Sequence, residues 1–182
     1  GHCKGRRFND THIFNVSKRE WEAKDAAGMP PHPRSHHTAS LVRVDAHRAT
    51  AKDDDDDDDA TAAAAEADEA SSMLTTDKVH KVVILGGYGG SGTSRDFFDD
   101  IHVLDLDSWT WAKVEYAKGP APRPRSDHCA CVSGTMILVS GGRGWAAGKG
   151  QTGYFDDLHM LDVNEMRWIE PPGYNPDDDN PA

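Results

Sequence analysis

One block of residues occurs three times in this chain and constrains its fold more than any other feature. Each copy runs from a phenylalanine to a tryptophan 13 residues later, in the pairs Phe8 and Trp21, Phe98 and Trp111, Phe155 and Trp168. Two further signatures recur in order with the blocks: Pro33-Arg34-Ser35-His36-His37 with Pro124-Arg125-Ser126-Asp127-His128, and apolar runs closed by Gly86-Gly87 and Gly141-Gly142. Fixed internal periods predict stacked copies of one supersecondary unit.

Each unit reads as four short strands, which we name a to d in chain order. In the second unit they are predicted at residues 37–44, 82–87, 100–106 and 110–115. Short connections such as residues 107–109 require antiparallel pairing. Strands a and b are apolar on both faces, which indicates a sheet covered on both sides. Short antiparallel sheets of this kind stack around an axis as the blades of a β-propeller, with the closing tryptophans packed between blades.

The order Arg-Ser-x-His, Gly-Gly, Phe-Asp-Asp-x-His-x-Leu-Asp and Trp resembles the kelch motif, and a repeat near 50 residues is the kelch period. The resemblance implies an all-β, kelch-type β-propeller fragment of about two and a half four-stranded antiparallel blades. It also implies that the glycine pairs, the tryptophans, His37 and His128 are structural repeat positions.

The boundaries follow from the repeats. Residues 1–32 are predicted to form a half blade (strands c and d) with a linker, and residues 33–123 a kelch repeat with an acidic low-complexity insertion at 45–78. Residues 124–172 form another repeat, and 173–182 an acidic tail. Propellers close with about four to eight blades, so we expect the remaining blades to come from the same gene, another chain or another copy. For that reason we do not expect this chain to be a well-behaved monomer alone.

The net charge of −11 is concentrated in the insertion and the tail. The insertion contains twelve acidic and three basic residues, including an unbroken run from Asp53 to Asp59. Such a run repels itself and offers no apolar surface, which predicts a solvated, disordered loop. An EF-hand calcium loop needs a glycine at its sixth position and a distal glutamate, and this run has neither. The rest of the chain is nearly neutral, so nucleic acid is not an expected partner.

Neither catalytic nor metal-binding chemistry is predicted. The ten histidines are distributed by repeat, with His12, His102 and His159 at one position of three units. Repeat-equivalent residues should lie about one blade apart, so they cannot converge on one ion. We therefore expect no cofactor and no catalytic residue. The alternative is that the chain forms the wall of a propeller enzyme or metal-assisted catalyst whose active-site residues lie outside this fragment, since some propellers of the kelch type, including the copper-containing galactose oxidase, are enzymes.

The loops are the part of a blade that varies freely. Alternating strand directions place the b-to-c and d-to-a loops at one end. In the kelch family, partner peptides dock at that end. We therefore predict a partner protein or peptide there, with Tyr88, Arg95, Arg143 and Trp145 as contacts. The resemblance implies that Arg34 and Arg125 also contact the partner. A structural ion pair of these arginines with an aspartate such as Asp99 or Asp156 is an equally supported alternative.

The most direct interpretation is a non-catalytic protein-protein interaction module, a kelch-repeat scaffold or substrate adaptor. Three cysteines are an odd count, which argues against a disulfide framework and favours a cytoplasmic or nuclear location. Cys129 and Cys131 are two apart in a predicted strand, so both should be buried on one face. Apolar runs are too short to cross a membrane, and no membrane partner is expected.

Overall fold

The computed structural model describes residues 1–45, 78–89, 96–115, 117–146 and 151–171. These residues form β-structure and turns, with no helix among them. Within the same ranges no helix is long and apolar enough to span a membrane. The predicted acidic loop, apart from its ends at Asp45 and Lys78, lies outside the described residues.

The strands are β1 (His2–Cys3), β2 (Arg6–Arg7), β3 (His12–Asn15), β4 (Glu20–Ala23), β5 (Ala27–Gly28), β6 (Arg34–Ser35), β7 (Thr38–Asp45), β8 (Lys78–Leu85), β9 (Tyr88–Gly89), β10 (Asp96–Phe97), β11 (Ile101–Asp105), β12 (Thr110–Val114), β13 (Cys129–Ser133), β14 (Met136–Ser140), β15 (Arg143–Trp145), β16 (Thr152–Tyr154), β17 (Leu158–Asp162) and β18 (Arg167–Ile169).

Two four-stranded antiparallel sheets follow the predicted order a, b, c, d. The second sheet contains β7, β8, β11 and β12, and the third contains β13, β14, β17 and β18. The first unit has β3 paired with β4 and corresponds to strands c and d. These sheets do not close into a ring, so the chain has the architecture of a kelch-type propeller fragment, as predicted.

The insertion lies between strands a and b of the second sheet, which form a hairpin. Strands β7 and β8 are paired along their whole length, up to Asp45 and Lys78, which are the last described residues on either side of the insertion. The strand bounds differ slightly from the sequence prediction. Strand b of the second sheet ends at Leu85, and the glycine pair that follows it forms a corner instead of the last pair of strand residues.

The core confirms that the strands are apolar on both faces. Along β8, Val83 and Leu85 belong to a large cluster between the second and third sheets, whereas Ile84 belongs to a second cluster on the opposite face. Successive side chains of a strand point to opposite faces, so one run of apolar residues serves two interfaces. The large cluster also contains Trp168, which is buried.

The smaller cluster faces the first unit and is only partly covered. Trp111 is buried there, but a cavity of about 350 Å³ separates the cluster from β3. Trp21, the equivalent residue of the first unit, is 70 % exposed, since within the described residues no further sheet packs against it. The predicted packing between blades is therefore wrong for Trp21 in this structure. The predicted burial of Cys129 and Cys131 is also wrong, because both are exposed on the outer face of the third sheet.

The linkers between units add an element that the sequence did not predict. Strand β5 lies parallel to the outer edge of β12, and Lys118 forms the equivalent parallel bridge with Arg167. Gly28 and Gly119 occupy matching positions in these linkers with φ values of 82° and 93°. A Cβ at either glycine would overlap the backbone of the tryptophan beside it.

We predict that Gly119→Ala lowers the free energy of unfolding by more than about 2 kcal/mol, because it combines a left-handed backbone with a clash against the Trp168 carbonyl oxygen. Gly134→Ala is the matched control. Gly134 also has a left-handed backbone (φ 62°), but no atom lies within 4 Å of the added Cβ, so about 1 kcal/mol should be lost. Urea denaturation measures both, and equal losses would show that the linker does not constrain the glycine.

Candidate functional site

Three short antiparallel ribbons occupy the b-to-c loops of the three units. They are formed by β1 with β2, β9 with β10, and β15 with β16. Their bases are equivalent, because Phe8, Phe98 and Phe155 donate backbone hydrogen bonds of 2.9 Å to the carbonyls of Gly1, Gly87 and Gly142. We call the surface formed by these ribbons the loop end. The ribbons differ in sequence although their bases repeat.

Aromatic side chains connect the ribbons of the second and third units. Tyr88 packs against Phe97 with ring centroids 4.9 Å apart, and Phe97 meets Trp145 edge-on at 5.3 Å. The indole Nε1 of Trp145 donates a 2.8 Å hydrogen bond to Asp96. We call Tyr88, Phe97 and Trp145 the aromatic ladder. Phe97 is buried while Trp145 remains 43 % exposed, so the ladder is anchored at one end and open at the other.

The first ribbon joins the ladder through Arg7. Its guanidinium lies over the Tyr88 ring, 5.0 Å from the centroid, and its Nε donates a 3.2 Å hydrogen bond to the Ser35 hydroxyl. A cation over an aromatic face is attracted by the ring electrons. All three ribbons therefore form one continuous surface.

Asp127 lies at the centre of the polar part of the loop end. It accepts hydrogen bonds from Ser126 Oγ (2.6 Å) and Arg143 Nε (2.9 Å), and its other oxygen is 2.7 Å from Nδ1 of His36. Burial would raise the pKa of Asp127, but these hydrogen bonds and the charges of His36 and Arg143 hold it below its usual value. Beside this group an open cavity of about 400 Å³ is lined in part by Arg143 and Tyr154.

Arg34 and Arg125 lie beneath the loop end, and each forms an ion pair with an aspartate of its own repeat. Arg34 makes a bidentate pair with Asp100, and Arg125 makes the equivalent pair with Asp157; the longer bond of each pair measures 2.7 Å. Each arginine also donates to the first glycine carbonyl of its Gly-Gly corner. Both are 2 % exposed. The structural alternative therefore accounts for them, and the acidic partner is one residue later than Asp99 and Asp156.

The carboxylates of these pairs also hold the repeat histidines. Asp100 lies 3.0 Å from Nε2 of His102, and Asp157 lies 3.0 Å from Nε2 of His159. Burial would raise the pKa of both carboxyls, but the arginine and histidine contacts outweigh it and hold both pKa values well below the usual range. In the first unit, the same spacing brings His12 to 2.8 Å from Asp10.

His37 and His128 sit at the start of the two a strands. Nε2 of His128 is 2.8 Å from the Thr38 hydroxyl of the neighbouring sheet, and Nδ1 of each histidine is buried without a hydrogen-bond partner. Burial and then the nearby Arg125 charge lower the pKa of His128 to about 4. Over the described ranges, no group of three or more His, Cys, Asp or Glu side chains could hold a metal ion.

Of the predicted contacts, Tyr88, Arg143 and Trp145 meet at the loop end, whereas Arg95 lies outside the described residues. The sequence missed Phe97, Asp96, Asp127, His36 and Arg7. A signal existed for two of them, because His36 and Asp127 are the variable position of the Arg-Ser-x-His signature. Both adopt a left-handed backbone, with φ values of 60° and 57°.

Comparisons with known proteins agree with this architecture. A family model described as the KLHDC2/KLHL20/DRC7 Kelch-repeats domain matches residues 59–180, more than half of the chain. The repeated four-stranded sheets define a repeat protein of the β-propeller class. The chain belongs to the kelch-repeat family, and the resemblance predicted from its motifs is confirmed.

Several known proteins are similar to this chain over part of their sequences. Acyl-CoA-binding domain-containing protein 4 of Arabidopsis thaliana is 41 % identical over 85 residues, which are 46 % of this chain and 12 % of the relative. The flagellar outer-arm dynein alpha chain of Chlamydomonas reinhardtii is 28 % identical over 173 residues, 89 % of this chain and 3 % of the relative. The rat Rab9 effector protein with kelch motifs is 29 % identical over 150 residues, 82 % of this chain and 29 % of the relative. The chain therefore spans less than a third of each of these relatives.

We predict that the chain loses stability as the pH falls from about 6.5 to about 4. In that window the unfolded chain protonates His128 and the folded chain does not, because the folded pKa is lowered to about 4. The stability from neutral His128 is complete above the unfolded pKa and is lost on acidification, by up to about 3 kcal/mol. The carboxyls of Asp100 and Asp157, whose pKa values are also lowered, add a further loss only below about pH 4.

Urea denaturation at pH 7, 6, 5 and 4.5 measures the effect in the wild type and in His128→Gln. The variant should be less stable at pH 7 but should lose less stability on acidification. Parallel pH profiles of the two proteins would contradict the assignment to His128.

Proposed function

We propose that this chain is a non-catalytic protein-protein interaction module, a scaffold or substrate adaptor, that binds its partner with the loop end. The observation that carries the proposal is the exposed edge of the aromatic ladder next to Arg143. Tryptophan, tyrosine and arginine are the residues that contribute most binding energy in protein interfaces. Kelch repeats generally bind other proteins, and the coarse function follows from membership of the family.

The rigid base of the ladder supports this role. Phe97 is buried, and Trp145 is fixed both by its edge-on contact with Phe97 and by its hydrogen bond to Asp96. A side chain that is already held in place loses little conformational entropy on binding. Trp145 therefore has the exposure and the order expected of an interface anchor.

The distribution of variable and repeated positions also supports the loop end. The bases of the three ribbons and the buried Arg-Asp pairs repeat from unit to unit, so they are committed to the fold. The ribbon tips differ, which lets one fold present different contacts. Among the relatives, the rat protein is named as an effector of Rab9, a role in which one protein is bound by another. We propose a role of the same kind here, without assigning the same partner.

We predict that Trp145→Ala and Arg143→Ala each weaken partner binding at least about tenfold without unfolding the chain, as expected when an interface anchor is truncated. Arg143 and Asp127 are 42 % and 39 % exposed, so their ion pair contributes little to stability. Quantitative affinity capture followed by crosslinking of the captured proteins compares the variants with the wild type and locates the contact.

Trp21→Ala is the matched control, because it removes a tryptophan that is 70 % exposed and lies away from the ribbons. Its capture profile should equal that of the wild type. If Trp145→Ala and Arg143→Ala capture the same proteins in the same amounts as the wild type, the loop end is not the docking surface.

A further inference from the structure

The charge of the loop end is opposite to the charge of the chain. Among the described residues of this surface, Lys4, Arg6, Arg7 and Arg143 are basic and Asp96 and Asp127 are acidic, in a chain whose net charge is −11. The c-to-d turns lie at the other end and contain charges of both signs, with Asp105, Asp107, Asp162 and Glu165 in the second and third units and Lys18 and Arg19 in the first. The excess of positive charge over the described loop end is therefore a local feature in a chain of negative net charge.

The carboxylates at the loop end are already engaged. Asp96 accepts hydrogen bonds from the Trp145 indole and from the backbone N–H of Phe97. Asp127 binds Arg143, Ser126 and His36. Asp127 compensates the charge of Arg143, and neither acid forms an ion pair with the first ribbon in the described part of the chain.

The cations of the first ribbon are Lys4, Arg6 and Arg7. Among the residues that the structure describes, no carboxylate lies within ion-pair distance of Lys4, Arg6 or Arg7. The first two are exposed, and Arg7 is half-buried. The aromatic face of Tyr88 and the Ser35 hydroxyl hold the guanidinium of Arg7, while its two terminal nitrogens carry no bond to the described part of the chain.

A held guanidinium with free terminal nitrogens is suited to a carboxylate, which it binds with two parallel charge-assisted hydrogen bonds. Because the ring and the hydroxyl fix its orientation before binding, less entropy is lost when the carboxylate arrives. The aromatic ladder continues from the same tyrosine, so an apolar side chain of the ligand can pack beside the charged contact.

We propose that the loop end binds an acidic peptide segment of a partner protein, whose carboxylates contact Arg6 and Arg7 while a neighbouring apolar side chain packs on Tyr88 and Trp145. The inference rests on the proposed function and names the chemistry of its partner. Charge complementarity selects this occupant. A nucleic acid needs a longer track of cations, and here Asp96 and Asp127 interrupt the track within a chain of strongly negative charge.

Random 12-residue peptides displayed on phage and selected on the immobilised protein test the proposal. Enriched peptides should contain two or more Asp or Glu residues next to an apolar residue. A synthetic copy of an enriched peptide should bind about tenfold or more weakly to Arg6→Glu/Arg7→Glu, since each reversed charge repels the carboxylates. Binding of the same peptide should weaken as salt is added.

Lys18→Glu/Arg19→Glu is the matched control. It makes the same change of charge at exposed positions in the turn between β3 and β4, at the opposite end of the unit. This variant should bind the peptide as the wild type does. Equal weakening in both double variants would show that only the net charge of the chain matters, which would overturn the proposed site.

The remaining outcomes separate this inference from the proposed function. If the enriched peptides lack acidic residues but still lose binding in Trp145→Ala, the acidic partner is wrong and the docking surface stands. If no peptide depends on Trp145, both are wrong. If a single-stranded 20-residue oligothymidylate binds more tightly than every peptide and with the same sensitivity to Arg6→Glu/Arg7→Glu, the occupant is a nucleic acid and the proposal is overturned.

Discussion

Arg125 joins two neighbouring sheets, and the rest of the structure depends on this junction. Its backbone carbonyl accepts a 2.8 Å hydrogen bond from Gly87, and its backbone N–H donates to Phe98, both in the second unit. Its side chain binds Asp157 and the Gly141 carbonyl in the third sheet and stacks on Phe155. One residue therefore bonds the corner of one unit with its backbone and the corner of the next with its side chain. Arg34 repeats the arrangement, because its carbonyl accepts from the amino group of Gly1 while its side chain binds Asp100.

The junction also explains why the loop end is ordered at its base. The ribbons begin at the Gly-Gly corners, so whatever fixes a corner fixes the start of a ribbon. Ser126 follows Arg125 and pairs with Arg143 through two backbone hydrogen bonds of 2.9 Å. Asp127, next along the chain, binds the Arg143 side chain and donates its backbone N–H to the His36 carbonyl of the preceding unit. The surface proposed to bind a partner is thus built directly on the residues that hold the units together.

The repeat signatures were sufficient to predict the family and the four-strand order, because both depend on local pattern and spacing. The continuous apolar run at the end of β8 likewise predicts that both faces of the sheet are covered. Contacts that depend on exact register were harder to predict. Asp99 and Asp100 are adjacent residues of the same type, and only the position of the strand decides which one meets Arg34.

The loop end shows a second limit of sequence reasoning. Phe97 and Trp145 meet across two units, and Arg7 reaches Tyr88 from a third. No local spacing encodes contacts between ribbons that vary independently, so the aromatic ladder could not be derived from the motifs. The exposure of Trp21, Cys129 and Cys131 depends instead on what packs against the outer faces of the first and last sheets. A strand pattern identifies the face of a residue but not the neighbour of that face.

A double-mutant cycle on Arg125 and Asp157 tests the central claim most directly. The free energies of unfolding of Arg125→Met, Asp157→Asn and the double variant are measured by urea denaturation. Asp157→Asn should destabilise by about 3 kcal/mol or more, because it leaves the buried Arg125 without its counterpart, and Arg125→Met should destabilise as well, because it leaves the half-buried Asp157 without its main cation. The double variant should lose clearly less than the sum, which gives a coupling of about 1–3 kcal/mol. Additive losses, or single losses below about 1 kcal/mol, would contradict the account, because the pair would then be one more surface ion pair and not the junction between units.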